Sequence, residues 1–327
     1  MNYRILGKTG FKVSEIGLGC WQLGGDFGPV AEHTASDILA AASDAGINFW
    51  DTADVYGGGL SEQRIGDWTQ KQLEQERVVV TKVGRDGALY PNQYSKAAVK
   101  ANLEASAKRL QVEAIDLAQL HCVPKDVLMG GDLLAWMEDF QQQGLIRHFG
   151  ASIETIEEGL FAIQHPKLAS LQLIFNVFRQ DAAERLLPEA LKNNVGIIVR
   201  LPLASGLLSG KMTAQQTFDE GDHRRYNKDG AFFHVGETFN GIPFNTGVVL
   251  AEQLKSLIPS NMTLHQVALR WLLDQPAVSS VIAGASKVEQ VKSNAAVSQL
   301  APLSSDMHLL LTRFYQQSVR QHIRGGI

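Results

Sequence analysis

The feature that most constrains the fold is a repeated alternation of short apolar runs and helical patterns along the sequence. Several runs are almost wholly apolar, which is typical of strands buried on both faces of a parallel sheet. Because helical patterns separate eight such runs, they favour a closed parallel α/β barrel, (β/α)8, over an open sheet. The runs span 15–19, 47–51, 77–82, 115–121, 146–152, 170–176, 196–202 and 279–285. The helical patterns span 34–46, 95–110, 132–144, 182–196, 263–275 and 287–297.

Residues outside this alternation carry further expectations. The first residues, YRILGKTGFKVS, predict an N-terminal β-hairpin outside the barrel. Thr34 is a predicted helix cap, and Pro188 is predicted to bend or restart its helix. A long irregular stretch from Met212 to Gly247 follows the seventh run. Such loops are usually functional or disordered, and its aromatic residues favour an ordered lid over 213–246. We expect one domain over 1–327.

Composition narrows the function classes. The chain has 327 residues and a net charge of −4, so no basic excess points to nucleic acid or an anionic membrane. No apolar run approaches the ~18 residues of a membrane span. The start, MNYRILGKTG, lacks a signal-peptide core, and Cys20 and Cys122 lack metal-site spacing. We therefore expect a cytoplasmic protein with reduced thiols and no metal site.

Four ionisable residues fall at or near the ends of adjacent predicted strands. Asp51 ends the second run, Lys82 the third and His121 the fourth, while Tyr56 lies just beyond Asp51 in DTADVYG. The carboxyl ends of barrel strands form one rim, where catalytic groups collect. Singly, each has an ordinary structural role open to it: a turn cap, a loop aromatic, a snorkelling lysine and an interior histidine. That all four residues have only such ordinary roles is much less probable, because they lie together at three neighbouring strand ends.

Proton donation by Tyr56 is the chemistry that these four residues could share. A phenol with a pKa near ~10 is a poor acid at neutral pH, and a nearby ammonium lowers that pKa. We expect Lys82 to supply this charge, Asp51 to hold Lys82, and His121 to polarise a substrate carbonyl. Asp54 has no place in this scheme, so we expect a turn or cap role for it.

The sequence resembles the aldo-keto reductase superfamily from LGKTGFKVSEIGLGCWQLGG to VIAGASKVEQVKSN. DTADVYG is similar to the family's D-x-A-x-x-Y-G stretch, and the family's catalytic tetrad falls on Asp51, Tyr56, Lys82 and His121. The resemblance implies a TIM barrel, NAD(P)H binding without a Rossmann domain, and carbonyl reduction.

The resemblance also implies residues around the nicotinamide. Gly19, Cys20 and Trp21 follow the first run, and Ser152 and Gln172 match residues that bind the carboxamide. Two positions depart from the family pattern. Ile153 replaces a common asparagine, and Arg200 stands where many members have an aromatic that stacks on the nicotinamide. A guanidinium can also stack on a ring. A cation that faces the positively charged oxidised nicotinamide is unfavourable, so Arg200 favours binding of the reduced cofactor.

The remaining cofactor positions lie in two segments. PLASGLLSGK, 202–211, matches the family's pyrophosphate loop, where small residues let backbone N–H groups approach phosphate. GASKVEQVKSN, 284–294, matches the adenosine end, and the charge of Lys287 favours NADP(H) over NAD(H). The predicted cofactor-binding positions in these segments are Pro202, Leu203, Ser205, Gly206, Leu208, Lys211, Gly284, Ser286, Lys287, Gln290 and Asn294.

The predicted substrate is a small-molecule carbonyl compound, which the sequence does not identify further. Its pocket is predicted to comprise Trp21, Phe27, Val55, Cys122 and the lid. The leading hypothesis is a reductase of aldehydes or ketones, or a sugar or alcohol dehydrogenase in the oxidative direction. The alternatives are a Schiff-base aldolase that uses Lys82 and a non-enzymatic sensor subunit. The sequence does not predict an oligomeric state.

Overall fold

A closed barrel of parallel strands forms the centre of the protein, as the alternating pattern predicts. The structure, a computed structural model, describes residues 1–72 and 74–326. In that part of the chain eight strands pair in sequence order, and the last pairs with the first to close the barrel. The barrel strands are β3 (Ile16–Gly19), β4 (Phe49–Asp51), β5 (Val78–Val83), β6 (Ile115–His121), β7 (Ile146–Ser152), β8 (Ser170–Ile174), β9 (Gly196–Arg200) and β10 (Val278–Gly284).

Helices surround the barrel and bury their apolar faces against it. They are α1 (Glu32–Asp44), α2 (Leu60–Thr69), α3 (Lys96–Leu110), α4 (Lys125–Met129), α5 (Asp132–Gln142), α6 (Ile156–Ala162), α7 (Leu186–Lys192), α8 (His223–Tyr226), α9 (Phe244–Leu257), α10 (Leu264–Leu273), α11 (Val288–Ala296) and α12 (Ser305–Phe314). No helix among the described residues is both long and apolar enough to cross a membrane.

The N-terminal hairpin, β1 (Tyr3–Ile5) and β2 (Lys12–Ser14), is confirmed and closes the bottom of the barrel. Its Leu6 and Val13 are fully buried and join a hydrophobic cluster with strand residues such as Phe49. The turn at Gly7 has φ +47°, and a Cβ there would lie 2.3 Å from the Ala169 carbonyl oxygen. Only glycine fits this approach, so the hairpin is seated tightly against the strand starts.

Two local predictions were wrong. Thr34 does not cap α1, because the helix begins at Glu32 and its N-cap is Ala31. Glu32 stabilises that first turn through the helix dipole.

The predicted helix over 182–196 is also interrupted, since the regular helix α7 begins only at Leu186. Pro188 lies in its first turn, where its missing N–H costs nothing, so the restart interpretation is the right one.

The lid, residues 213–246, packs as an ordered segment, with α8 and short 3₁₀ turns within it. Its last three residues are not irregular, because they form the start of α9. Phe218 and Phe239 pack against Phe244, with ring centroids 5.5 and 5.0 Å away. Phe239 belongs to the main hydrophobic core, and Phe218 and Phe244 pack against that core, so the aromatic residues tie the lid to it.

Candidate active site

Parallel pairing brings the four rim residues together. β4 ends at Asp51 and β6 at His121, while β5 continues one residue beyond Lys82. β5 lies between β4 and β6 in the barrel, so these side chains come from three adjacent strands. Tyr56 follows in the turn after β4. The structure thus places all four predicted residues on the same rim.

Asp51, Lys82 and Tyr56 form a continuous polar chain. The Lys82 ammonium donates to Asp51 Oδ1 at 2.5 Å and to the Thr52 carbonyl oxygen at 2.8 Å. Its third contact is the Tyr56 hydroxyl at 3.2 Å. Lys82 is fully buried, and burial opposes its charge, but Asp51 and Tyr56 outweigh burial and raise the pKa of Lys82. Lys82 is therefore a fixed ammonium that faces the phenol.

Lys82 acts on the pKa of Tyr56 in the expected direction, but it does not decide the net shift. Burial raises the pKa of Tyr56 to about 12, although Lys82 acts in the opposite direction. The sequence identifies the neighbouring charge but not the depth of burial, and burial is the larger effect here. Tyr56 is consequently a fully protonated phenol at neutral pH. A phenol in this state can still donate its proton to an alkoxide, which is a stronger base.

His121 completes the rim as a neutral imidazole. Its ring centroid lies 6.0 Å from that of Tyr56, at an interplanar angle of 84°. Burial, together with the positive charges of Arg85, Lys82 and Arg200, lowers the pKa of His121 well below its usual range. A neutral imidazole can donate one N–H to a substrate oxygen without adding a positive charge to the site.

Gln172, the middle residue of β8, lies beside Asp51. Its amide nitrogen donates to Asp51 Oδ2 at 2.7 Å and to Gln119 Oε1 at 2.9 Å. Gln119 in turn donates to the Ser170 hydroxyl at 3.1 Å. In this structure the amide nitrogen of Gln172 therefore orients Asp51, a contact that the predicted carboxamide role did not anticipate.

Asp54 is separate from the polar chain. One carboxylate oxygen accepts the Val55 backbone N–H at 2.8 Å, which fits a turn role, and the other has no partner in the described part of the chain. Burial, reinforced by the negative charge of Glu62, raises the pKa of Asp54 to about 7. This carboxyl is thus partly protonated at neutral pH.

The Asp54→Asn variant is expected to be more stable than wild type at pH 8. Between about pH 4 and about pH 7 the Asp54 carboxyl keeps its proton in the folded protein. In the unfolded chain it has the ordinary aspartate pKa of about 4 and has released that proton. Wild type thus loses stability as the pH rises through this window, and the variant does not. We expect the free energy of unfolding of the variant to exceed that of wild type by about 4 kcal/mol at pH 8, and this difference to shrink towards pH 4. Urea unfolding at both pH values measures it, and a gap independent of pH would contradict it.

Aromatic side chains form the wall beside Tyr56. Trp21 stacks on Tyr56 with ring centroids 5.6 Å apart and planes 17° apart, and Phe27 meets Trp21 edge-on at 5.1 Å. Two lid residues cover the same indole, His223 at 4.6 Å and Phe233 at 6.2 Å. The predicted pocket residues Trp21 and Phe27 are thus joined by His223 and Phe233 of the lid, the segment that was also predicted to form part of the pocket.

The other two predicted pocket residues also lie at this mouth. Val55 precedes Tyr56 and is half-buried. Cys122 directly follows His121, and its sulfur lies 3.3 Å from the Ser152 hydroxyl. Ser152 and Cys122 therefore line the side of the mouth formed by β6 and β7.

A cluster of buried charges lies on that same side and was largely missed. Arg200, at the end of β9, donates to the Ile153 carbonyl oxygen at 3.2 Å and to Cys122 Sγ at 3.4 Å. Arg85 bridges Glu154 at 2.9 Å and Glu237 of the lid at 2.5 Å. Arg85 and Glu154 lie two residues beyond the ends of β5 and β7. A search that included the first residues after each strand would have found them. Glu237 lies in an aperiodic loop and offers no such signal.

The pyrophosphate-loop residues have a backbone suited to an anion. Ala204, Ser205 and Gly206 have φ values of +49°, +56° and +103°. Successive left-handed residues, two of them not glycine, are strained, and such strain concentrates at ligand sites. The Leu208 side chain is fully buried in the core, whereas Lys211 is exposed. The loop fits a phosphate-bearing cofactor through its backbone.

The adenosine segment is organised around the start of α11. Gln290 Oε1 accepts hydrogen bonds from the backbone N–H groups of Ser286 at 2.7 Å and Lys287 at 3.2 Å. The side-chain oxygen of Gln290 is therefore used to cap the helix. Asn294 is buried and paired with His265 Nε2 at 2.8 Å. Lys287 is exposed. Lys292 of the same segment is exposed as well, but Lys287 is the cation that lies at the start of α11.

Glycines at the ends of β3 and β10 allow close packing on the opposite side of the mouth. A Cβ at Gly19 would lie 3.3 Å from the Gly284 nitrogen, and one at Gly284 would overlap the Gln22 side chain at 2.3 Å. Cys20, the next residue after Gly19, is fully buried. Gln22 was not predicted, and its side-chain oxygen has no partner in residues 1–72 and 74–326.

The family model described as "Aldo/keto reductase family" matches residues 15–316. The chain belongs to the aldo/keto reductase family. The aldo-keto reductase YhdN of Bacillus subtilis (strain 168) is 31% identical over 300 residues, which cover 89% of this chain and 87% of YhdN. This family membership identifies the protein as an oxidoreductase that interconverts carbonyl and alcohol groups.

Solved structures of aldo-keto reductases have the same architecture. The holo form of aldo-keto reductase AKR11C1 from Bacillus halodurans is 27% identical and has a TM-score of 0.77, covering 99% of this chain and 100% of that one. The glycerol dehydrogenase AKR11B4 from Gluconobacter oxydans is 26% identical with a TM-score of 0.77, covering 99% and 97%. These likenesses confirm the TIM barrel for this aldo-keto reductase.

Proposed function

We propose that this aldo-keto reductase reduces an aldehyde or ketone to an alcohol, with a bound nicotinamide cofactor as the hydride donor. The observation that carries the proposal is the buried Asp51–Lys82 ion pair in contact with the half-buried Tyr56, beside the neutral His121. This arrangement offers one proton donor and one hydrogen-bond donor to a single oxygen atom.

Each residue of the chain has a distinct part in this reaction. The His121 imidazole donates to the carbonyl oxygen and orients it towards Tyr56. Tyr56 transfers its proton to that oxygen as negative charge develops, and Lys82 stabilises the resulting phenolate. Asp51 keeps the ammonium in place, and Gln172 keeps Asp51 in place. The aromatic wall of Trp21, Phe27 and the lid excludes water from this oxygen.

We propose NADP(H) as the preferred cofactor. Lys287 is exposed at the start of α11, whereas the neighbouring Gln290 uses its side-chain oxygen in the helix cap. A free ammonium at a helix N-terminus suits a 2′-phosphate. Cys20 and Cys122 are free thiols, which supports the proposal of a cytoplasmic location, where such cofactors and reduced thiols coexist.

The oxidative direction is a second candidate, because a structural relative is named a glycerol dehydrogenase. The same residues would serve it in reverse with the Tyr56 phenolate as the base, a form that the raised pKa of Tyr56 disfavours. A Schiff-base aldolase is disfavoured by the contacts of Lys82. Its nitrogen has three partners and a raised pKa, so it is charged, whereas imine formation needs a neutral amine.

Cofactor titration followed by a substrate screen tests this proposal. We expect NADPH to quench the protein fluorescence at lower concentrations than NADH does, and some carbonyl compounds to oxidise the bound NADPH. Borohydride trapping with the same compounds should leave Lys82 unmodified. Absence of binding of both cofactors would contradict the proposal, and a trapped lysine adduct would favour the aldolase.

A further inference from the structure

Glu237 is the lid residue that enters the charged cluster at the barrel mouth. Its side chain is 6% exposed, and its two carboxylate oxygens accept from Arg85 at 2.5 and 3.2 Å. Glu237 Oε2 also lies 3.6 Å from the nearest nitrogen of Arg200. The positive charges of Arg85 and Arg200 hold the pKa of Glu237 at about 2 despite burial, so this carboxylate is ionised.

The Arg200 guanidinium borders the place where a hydride donor must lie. Hydride transfer requires the reacting carbons to approach within about 3–3.5 Å. A nicotinamide that serves a carbonyl held by Tyr56 and His121 must therefore lie in the same mouth. Arg200 contacts Cys122, the residue after His121, and the Ile153 carbonyl oxygen, and it is 9% exposed. We therefore expect Arg200 to lie beside the ring.

A cation beside the nicotinamide discriminates between its two redox states. The oxidised ring carries a positive charge and the reduced ring does not, so an uncompensated guanidinium would repel only the oxidised form. Glu237 contributes a negative charge on the lid side of Arg200. Glu154 contributes less, because burial and the nearby Glu237 raise its pKa to about 7. Glu237 is thus the fully ionised carboxylate of the cluster.

The same lid turn also contacts the pyrophosphate loop. The Ser205 hydroxyl accepts the Phe239 backbone N–H at 3.0 Å and donates to the Glu237 carbonyl oxygen at 3.4 Å. The position of this lid turn, and with it the place of the Glu237 carboxylate near Arg200, is therefore tied to the pyrophosphate loop.

We infer that Glu237 positions Arg200 beside the nicotinamide and compensates its charge, so that the closed lid lets the enzyme hold the oxidised as well as the reduced cofactor. This inference rests on the proposed function and adds a positioning residue to it.

A metal site or a simple lid latch fits the cluster less well. A metal at Cys122, Glu154 and Glu237, whose ligand atoms lie within 4.8 Å of one another, would have to displace both guanidiniums. A lid latch formed with Arg85 alone would leave the contact with Arg200 without a role.

Binding measurements on the Glu237→Gln variant test the inference. Dissociation constants are measured for NADPH, NADP⁺ and 2′,5′-ADP, which lacks the nicotinamide. We expect 2′,5′-ADP to bind within about twofold of wild type, NADPH to weaken slightly, and the affinity for NADP⁺ relative to NADPH to fall on the order of tenfold. Equal weakening of NADP⁺ and NADPH, or an unchanged ratio, would overturn the inference.

The Arg200→Gln variant gives an independent result of opposite sign. Without the guanidinium, the affinity for NADP⁺ relative to NADPH should rise, and a fall or no change would overturn the inference. Glu220→Gln is the matched lid control, because Glu220 is exposed and pairs with Arg225 at 3.1 Å. It should bind all three ligands as wild type does, and a changed ratio would overturn the specific role of Glu237. If wild type binds none of the three, the cofactor proposal itself fails and the inference fails with it.

Discussion

The Tyr56→Phe variant is expected to lose about 10²- to 10⁴-fold in turnover, the usual contribution of a positioned proton donor. Phenylalanine keeps the ring that stacks on Trp21 at 5.6 Å and removes only the hydroxyl that contacts Lys82 at 3.2 Å. NADPH should bind the variant within about twofold of wild type, because the hydroxyl acts on the substrate oxygen. Steady-state kinetics and cofactor titration measure the two effects.

Tyr90→Phe is the matched control for this prediction. Tyr90 is 43% exposed and lies outside the rim, so the same chemical change there should leave turnover unchanged. Turnover close to wild type in the Tyr56→Phe variant would remove Tyr56 as the proton donor. A parallel loss of NADPH binding would instead indicate that the change disturbs the pocket as a whole.

The Lys82→Met variant is expected to lose both activity and stability. Methionine matches the length of the lysine stem, but the buried Asp51 carboxylate would lose its partner at 2.5 Å. Removal of one member of a buried ion pair costs about 3–5 kcal/mol, because the other charge stays buried. Denaturant unfolding measures the stability, and turnover should fall at least as far as in Tyr56→Phe.

The Asp51→Asn/Lys82→Met double variant separates these two effects. Without either charge, the folded state should regain most of the lost stability, since an uncompensated charge is no longer buried. Turnover should stay low, because the phenolate of Tyr56 still lacks the ammonium. A double variant that regains turnover together with stability would show that Lys82 serves the fold alone.

The strands were predictable from the sequence because apolar runs report burial on both faces. The predicted bounds of 115–121 and 146–152 are those of β6 and β7. Helix ends were harder to predict, since Thr34 is a good cap by type but lies inside α1. Capping depends on where the preceding chain leaves the helix axis, and the local sequence does not fix this.

The rim of the barrel was predictable because a strand end places its residue at the mouth. This rule found Asp51, Lys82 and His121, and the turn after β4 added Tyr56. It could not give the pKa of Tyr56, because burial depends on the lid and the aromatic wall. It also could not find Glu237, whose position beside Arg200 follows from the packing of the lid rather than from any periodic pattern.

Isotope transfer from the cofactor to the product tests the central claim most directly. The wild-type protein would be incubated with NADPH that carries two deuterium atoms at nicotinamide C4 and with a carbonyl compound that oxidises it. Mass spectrometry of the alcohol should find one deuterium atom on the former carbonyl carbon and none from the cofactor on oxygen. An alcohol without deuterium at that carbon would contradict direct hydride transfer at the site of Tyr56 and His121.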